Sequence, residues 1–300
     1  MIEIARHVVT QLIDRIRFID YAIGVFPQLM TKNSIKKALK RNELIINDSL
    51  ANSAHWMELG DVICLVDPCN RIPKPFPLDI EVIFEDDYLV IVNKPSGLPT
   101  SGNFFRTLEN AIVGKIRAST QVDALKWARP VHRLDAATSG LLILSKTATA
   151  HRILAKSFEN KKVKKKYHAI VAGNVSEKLT QINTAIDGQY AMTELKFLDC
   201  IPSLRSEFMT LIELSPKTGR THQLRIHCSE EGHSIVGDTL YGEKGNTLLH
   251  KGLYLTATQL EFPHPVLNKF VKVEIEMPNR FFSLLEREER RWRKFNKEQI

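Results

Sequence analysis

The chain is expected to fold as α+β in two units, and three observations carry that expectation. Its 300 residues amount to about two domains at roughly 150 residues each. PCNRIPKPFPL, with prolines at 68, 73, 75 and 77, blocks both helix and sheet interior and is the best linker candidate. Beyond it, apolar runs follow one another across tight turns with few helices between them. That order favours antiparallel pairing over a doubly wound α/β sheet. The expected division is 1–67, a linker at 68–79, and a larger unit at 80–300.

The elements follow in order. IRFIDYAIGVFPQL reads as helical. TKNSIKKALKRNELIIND gives a second short helix with Thr31 as N-cap. Lys32, Lys36 and Lys40 fall at i, i+4 and i+8 on one face, and Ile35, Ala38 and Leu39 lie opposite to pack. ELIIND and DVICLVD read as short strands. A basic-faced helix beside small strands suits a phosphate backbone. After the break, IEVIFEDDYLVIVNKP gives two strands around an EDD turn, and GLLILSK is a short buried strand. TATAHRILAKSFEN is an amphipathic helix opening at Thr147, and KKKYHAIVAG is a strand ending in glycine. SEFMTLIELSPKTGRTHQLRIHCSEEG suggests a hairpin turning about Pro216 to Gly219.

Composition narrows the function classes. Hydrophobic content of 43% and charged content of 25% are ordinary globular values. No apolar run approaches a membrane span of about 18 residues. The start, MIEIARHVVTQLIDRI, lacks the apolar block of a signal peptide, so the cytoplasm is the expected compartment. The scattered cysteines Cys64, Cys69, Cys200 and Cys228 form no C-x-x-C pair and read as ordinary thiols. The net charge of +8 favours an anionic partner. Basic residues concentrate in KKVKKK (161–166) and RRWRKFNK (290–297), although each run alone suits a solvated surface equally well.

Motifs narrow them further. There is no P-loop, no G-x-G-x-x-G and no G-x-S-x-G. His222, His227, Cys228 and His233 in THQLRIHCSEEGH fit no usual zinc spacing, and on a strand His222 and His227 would face opposite ways. RPVHRLDAATSG carries a solitary carboxylate, Asp135, flanked by Arg133 and followed by small residues. Taken alone, Asp135 reads as a turn carboxylate bonded to the amides of Ala137 or Thr138. A two-carboxylate hydrolase would need a second acid beside it, and Asp87, Glu194 and Asp238 are only distant candidates.

Five stretches in order change that reading: NKPSGLPTSG (93–102), HRLDAATSG (132–140), KKYHAIVAG (165–173), GRTHQLRIH (219–227) and GHSIVGDTLYG (232–242). From about Ile80 to Pro278 the chain resembles an RluA-type RNA pseudouridine synthase. One departure is Ala136, where a basic residue is frequent in the family. From about Arg17 to Asp67, on IDYAIG, SIKKALKRNELIIND and ELGDVI, it resembles the alpha-L RNA-binding motif. There Asp48 stands where glycine is often found. The resemblance implies a catalytic unit on a central, mainly antiparallel mixed sheet with a small N-terminal αβ RNA-binding domain. It implies isomerisation of uridine to pseudouridine in RNA, with ribosomal RNA of the large subunit first and transfer RNA second. No cofactor or metal is implied.

The resemblance also implies roles. Asp135 is the essential carboxylate, attacking the anomeric carbon or taking the 2′ proton. Arg220 is its guanidinium partner. Tyr167 lies against the uracil and Leu224 against its other side. Arg133 fills the slot that the extruded base vacates. His132 belongs to the substrate site, with a structural hydrogen bond favoured over proton transfer. Lys94, Lys164 and Lys165 contact phosphate, as Lys32, Lys36 and Lys40 do in the N-terminal unit. A monomer is expected, on no physical argument. The rival readings are an inert RNA-binding assembly factor and a single-aspartate hydrolase acting on another polymer.

Overall fold

A computed structural model of the protein describes residues 2–12, 14–67, 73–243 and 251–297. Six elements precede the proline-rich break: β1 (Ile2–Val8), α1 (Phe18–Tyr21), α2 (Lys32–Lys40), β2 (Leu44–Ile46), β3 (Ser49–Leu50) and β4 (Val62–Asp67). The strands form one sheet in the order β1-β4-β2-β3. Phe18, Ile35, Ala38, Leu44 and Ile63 share a core drawn only from residues up to Leu65. Thr31 caps α2 as its sequence suggests: its hydroxyl accepts from the Ser34 N–H, and the Ser34 hydroxyl accepts from the Thr31 N–H. The helix expected over residues 16–29 shrinks to the single turn of α1, because Gly24 turns the chain at φ +80°. Asn47 and Asp48 both take positive φ in the β2–β3 turn, a conformation both residue types tolerate.

The predicted linker is only partly free. Residues 68–72 lie outside the described ones, and 73–80 run without regular structure. Phe76, Leu78 and Ile80 nevertheless pack on the main core of the larger unit. Apolar residues at alternate positions dock this segment even though proline keeps it out of a sheet.

The larger unit runs β5 (Glu81–Glu85), β6 (Leu89–Lys94), α3 (Leu108–Ala111), β7 (Ala124–Pro130), β8 (Ser139–Thr147), α4 (Ala148–Glu159), β9 (Lys164–Ala172) and β10 (Gln181–Ile182). It continues through β11 (Thr193–Ser203), β12 (Glu207–Pro216), α5 (Gln223–Glu230), β13 (Leu255–Pro263), β14 (Phe270–Glu274) and α6 (Asn279–Lys297). Its sheet has the order β10-β11-β12-β9-β13-β8-β6-β5, with β14 on β13 and β7 on β8. Every pairing is antiparallel except β13 with β8. The architecture is the expected α+β fold on a mainly antiparallel mixed sheet.

Local chemistry explains most of these elements. Asp86 turns the β5–β6 hairpin by accepting from the N–H groups of Tyr88 and Leu89. β8 is buried at every position, as a central strand covered on both faces must be. Thr147 caps α4 by accepting from the Ala150 N–H. At the parallel seam, a Cβ on Gly140 would lie 2.1 Å from the Ala257 carbonyl oxygen, so only glycine fits. The hairpin expected at Pro216 to Gly219 does not form. β12 instead turns back on β11 at Ser203–Glu207, and Gln223–Glu230 is the helix α5 rather than a strand. The basic run 290–297 lies in α6, whose Phe281, Leu284 and Leu285 pack against Ile201 and Met209.

Candidate active site

Asp135 sits on the loop from β7 to β8, and the loop from β6 to α3 clamps it there. The Thr100 hydroxyl donates to the Leu134 carbonyl (2.9 Å) and accepts from the Leu134 N–H (3.2 Å). Gly97 N–H donates to Ala136 O (2.7 Å), and the Ser96 hydroxyl donates to Ala137 O (2.6 Å). The Asp135 main-chain carbonyl, not its carboxylate, receives the Thr138 N–H (3.1 Å). The turn is therefore closed without the side chain, which is left to face a cavity of about 150 Å³. Pockets for drug-sized ligands measure roughly 300–1,000 Å³, so this one is smaller than those.

Tyr167 and Leu224 line that cavity, from β9 and α5 respectively. Both are buried and belong to the main core. Burial, and to a lesser degree the nearby Asp135 charge, push the Tyr167 phenol upward, so it stays neutral at physiological pH. Lys165, two residues earlier on β9, lines the same cavity, as strand alternation requires. Burial lowers its ammonium below the usual range. Lys164 and Lys166 turn the other way and pair with Glu261 and Glu213. Of the two β9 lysines expected at phosphate, Lys165 lines the cavity and Lys164 does not. Exposed Arg133 and Arg220 stand at the rim.

Three expectations are corrected. The guanidinium beside Asp135 is that of Arg225, not Arg220: Arg225 Nη1 lies 3.7 Å from Asp135 Oδ2. Arg220 Nε donates to Tyr190 O at 3.1 Å, which turns its fork away from the carboxylate. Lys94 cannot reach a phosphate. It is fully buried, and its Nζ donates to Pro95 O (2.9 Å), Leu98 O (2.8 Å) and Ala136 O (3.3 Å). Burial holds its pKa down to about 8, against the opposing pull of Asp135. His132 lies away from the cavity. Its Nε2 accepts from the Ile143 N–H at 3.0 Å, and its ring stacks on Phe158 at 4.5 Å. Desolvation chiefly, with the Lys165 charge, brings its pKa to about 3, so it is a neutral structural acceptor.

Three residues join the site that the sequence reading left out of it. Arg225 gives Nε and Nη2 to Asp238, both at 2.7 Å, a bidentate fork that fixes the guanidinium plane. Asp238 also accepts from the N–H groups of Leu240 and Tyr241. Its burial would raise the carboxyl, but these donors outweigh it and hold the group ionised. His222 reaches Asp135 Oδ1 at 3.7 Å through Nε2, while its Nδ1 meets the Tyr241 hydroxyl at 3.0 Å. His222 holds φ +55°, a left-handed conformation that costs a non-glycine residue about 1–2 kcal/mol. Reading 219–230 as a helix would have placed His222 and Arg225 together, since i and i+3 share a face.

None of the three acids named as candidate partners is free to serve Asp135. Asp87 holds Thr120 and Gln121, Glu194 pairs with Lys217, and Asp238 is occupied by Arg225. Among the described residues no cluster of histidine, cysteine or acid is arranged to hold a metal. None of their helices is long and apolar enough to cross a membrane.

Comparisons with known proteins identify the family. The family model for RNA pseudouridylate synthase matches residues 88–230. An uncharacterized RNA pseudouridine synthase of Aquifex aeolicus is 30% identical over 286 residues, spanning 85% of this chain and 88% of that protein. Ribosomal large subunit pseudouridine synthase D of Zymomonas mobilis is 36% identical over 243 residues, spanning 70% of this chain and 73% of that one. Among solved structures, human RNA pseudouridylate synthase domain containing 1 superposes with a TM-score of 0.56 at 24% identity, covering 66% of this chain and 83% of its own. That last likeness speaks to the fold, and the sequence relatives speak to descent. By descent shared with these relatives, the chain belongs to the RNA pseudouridine synthase family.

Proposed function

We propose that the protein converts specific uridines of large-subunit ribosomal RNA to pseudouridine, with Asp135 as the reacting carboxylate. The observation that carries this is the Asp135 side chain itself. It is spared by its own turn and faces a small cavity between Tyr167, Leu224 and Arg225. The ribosomal substrate follows the relatives named for the large subunit.

The reaction releases uracil from its ribose, turns it, and rejoins it through carbon 5, whose hydrogen leaves as a proton. It involves no net redox change. Asp135 either attacks the anomeric carbon or takes the 2′ proton, and both routes need the ionised form. Arg225, at 3.7 Å, orients the carboxylate. Tyr167 and Leu224 clasp the extruded base, because the target cannot react while stacked. Arg133 takes the vacated slot, and Lys165 meets the phosphate of the flipped nucleotide. Residues 1–67 act as an alpha-L RNA-binding unit, joined through 68–79 to the catalytic unit at 80–300. The exposed Lys32, Lys36 and Lys40 of α2 touch the RNA backbone.

The test uses ribosomal RNA carrying tritium at uridine carbon 5, incubated with wild type and with Asp135→Ala. Forming the carbon–carbon bond must expel that tritium into water. Release by wild type alone supports the assignment. Release by both proteins would remove Asp135 from the chemistry, and release by neither, with RNA binding intact, would refute the reading.

A further inference from the structure

The loop from β6 to α3 holds two phenylalanine rings in solvent, Phe104 at 71% exposure and Phe105 at 46%. Single exposed apolar residues are common, but this loop is built to present them. Asn110 Nδ2 donates to both their carbonyls, at 3.3 Å to Phe104 O and 2.9 Å to Phe105 O. Thr107 N–H donates to Phe105 O at 3.1 Å, and the Thr107 hydroxyl caps α3 by accepting from the Asn110 N–H at 3.2 Å. Phe105 is braced edge-on by Phe76, with ring centroids 5.4 Å apart. Phe104 has no such brace among the described residues.

Cations are interleaved with these rings. Lys74 Nζ stands 5.4 Å over Phe105, and Arg106 stands 5.6 Å over Phe76. Both are exposed, and neither makes an ion pair among the described residues. Aromatic faces alternating with unneutralised cations form the combination that binds single-stranded nucleic acid: bases stack on the rings and phosphates meet the charges.

The loop is also tied to the catalytic centre. Thr100, four residues before Phe104, is hydrogen-bonded in both directions to Leu134, the neighbour of Asp135. Four extended residues span at most about 14 Å. At roughly 3.4 Å per nucleotide along a strand, the platform lies within a few nucleotides of the target.

We propose that Phe104 stacks on an unpaired base flanking the target uridine, while Arg106 and Lys74 hold the adjoining phosphates. This rests on the RNA-isomerase reading and deepens it. The loop would restrict the enzyme to targets with an unpaired neighbour.

The test compares Phe104→Leu, which keeps the ring's apolar character, with Phe104→Tyr, which keeps its stacking face. Tritium release is measured from a large-subunit ribosomal RNA transcript labelled at uridine carbon 5. Anisotropy is measured on a uridine-rich single strand of about 12 nucleotides, within the site sizes such grooves cover. Phe104→Leu is expected to raise KM and the oligonucleotide Kd by about 5- to 150-fold, the span of one lost stack. Phe104→Tyr should stay within about twofold of wild type, and both variants should melt with the wild type. Arg106→Gln should flatten the salt dependence of binding, which Phe104→Leu should not do. A KM and Kd untouched by Phe104→Leu would overturn the proposal and leave the patch to a protein partner. Equal losses in Leu and Tyr variants would overturn stacking. If wild type releases no tritium, the isomerase reading fails, while the anisotropy series still decides whether Phe104 stacks on RNA.

Discussion

Replacing Lys94 with methionine separates two descriptions of one residue. In the sequence it resembles a surface phosphate contact. In the structure its ammonium is sealed under the Asp135 loop and spends its three donors on three carbonyls. The fall of its pKa from 10.5 to about 8 corresponds to about 3 kcal/mol opposing the charged form, and methionine removes that cost. Ala136 O would keep its bond from the Gly97 N–H, but Pro95 O and Leu98 O would lose their donor, at about 1–3 kcal/mol each. The two effects leave a net change between about 1 kcal/mol of stabilisation and about 3 kcal/mol of destabilisation at neutral pH. A lysine with a depressed folded pKa gains stability for the protein as pH rises from 8 towards 10.5, because only the unfolded chain still binds the proton there. The deficit of Lys94→Met should therefore widen over that window.

Catalysis should suffer more than stability. The lost bonds tie residues 95–98 to the chain beside Asp135, and a displacement of about 1 Å can cost roughly 100-fold in rate. The expected result is a 10- to 100-fold lower single-turnover rate, on the order set by such misplacement. The slope of log affinity against log salt should stay unchanged, because Nζ is sealed from solvent. The assays are tritium release and filter binding between roughly 50 and 200 mM salt. A slope shallower by about 0.7, with the rate intact, would show Lys94 on a phosphate and refute the buried clamp.

Four further outcomes follow from the same geometry. Arg225→Lys should lower kcat at least 10-fold, an order typical of a lost bidentate positioning contact, and Arg220→Ala should lower it less; the reverse order would restore Arg220 as the partner of Asp135. Gly140→Ala should cost several kcal/mol and most of the soluble yield, since its Cβ meets the Ala257 backbone, whereas Gly188→Ala, in open space at φ +69°, should cost only about 1–2 kcal/mol; equal melting temperatures for the two variants would contradict the seam. His132 stays neutral in the fold down to about pH 3 but titrates near 6.5 when unfolded, so its contribution is lost as pH falls below 6.5. The stability-versus-pH slope of His132→Gln, measured by denaturant unfolding, should be smaller by about 1.4 kcal/mol per pH unit across roughly pH 4 to 6, and parallel curves would count against a half-buried ring held neutral. Removing Lys32, Lys36 and Lys40 together should reduce the salt slope of RNA binding by about 2, at roughly 0.7 per phosphate contact; no change would take α2 off the RNA.

Much of this protein could be read from its chain because the signals are local. A hydroxyl at a helix entrance caps its own turn, so Thr31 and Thr147 mark α2 and α4 wherever the helices come to rest. The β5–β6 hairpin carries its own turn residue in Asp86, and the apolar run of β8 can only be central. The motif around Asp135 likewise nominated the carboxylate proposed to react, although its geometry came from the fold.

What remained illegible depends on partners far away in sequence. α5 shows no polar-and-apolar stripe because Gln223, Leu224, Arg225, His227 and Cys228 are all buried. Gln223 accepts from nearby Thr218 and Arg220, but the other partners of the helix's polar side chains, Met192, Thr193, Thr184 and Asp238, lie far along the chain. Arg220 and Arg225 are alike as letters, and only the fold turns one towards Tyr190 O and the other towards Asp135. Lys94, Lys164 and Lys165 are equally alike in sequence. Burial places the first under a loop, and strand alternation sends the other two to opposite faces of β9. The sequence by itself marked the caps of α2 and α4, the β5–β6 turn and the central strand β8, and it nominated Asp135, because caps, turns and strand patterns act within a few residues. Tertiary structure alone decided which charges stand beside that residue, because burial and ion pairing depend on what packs over a side chain.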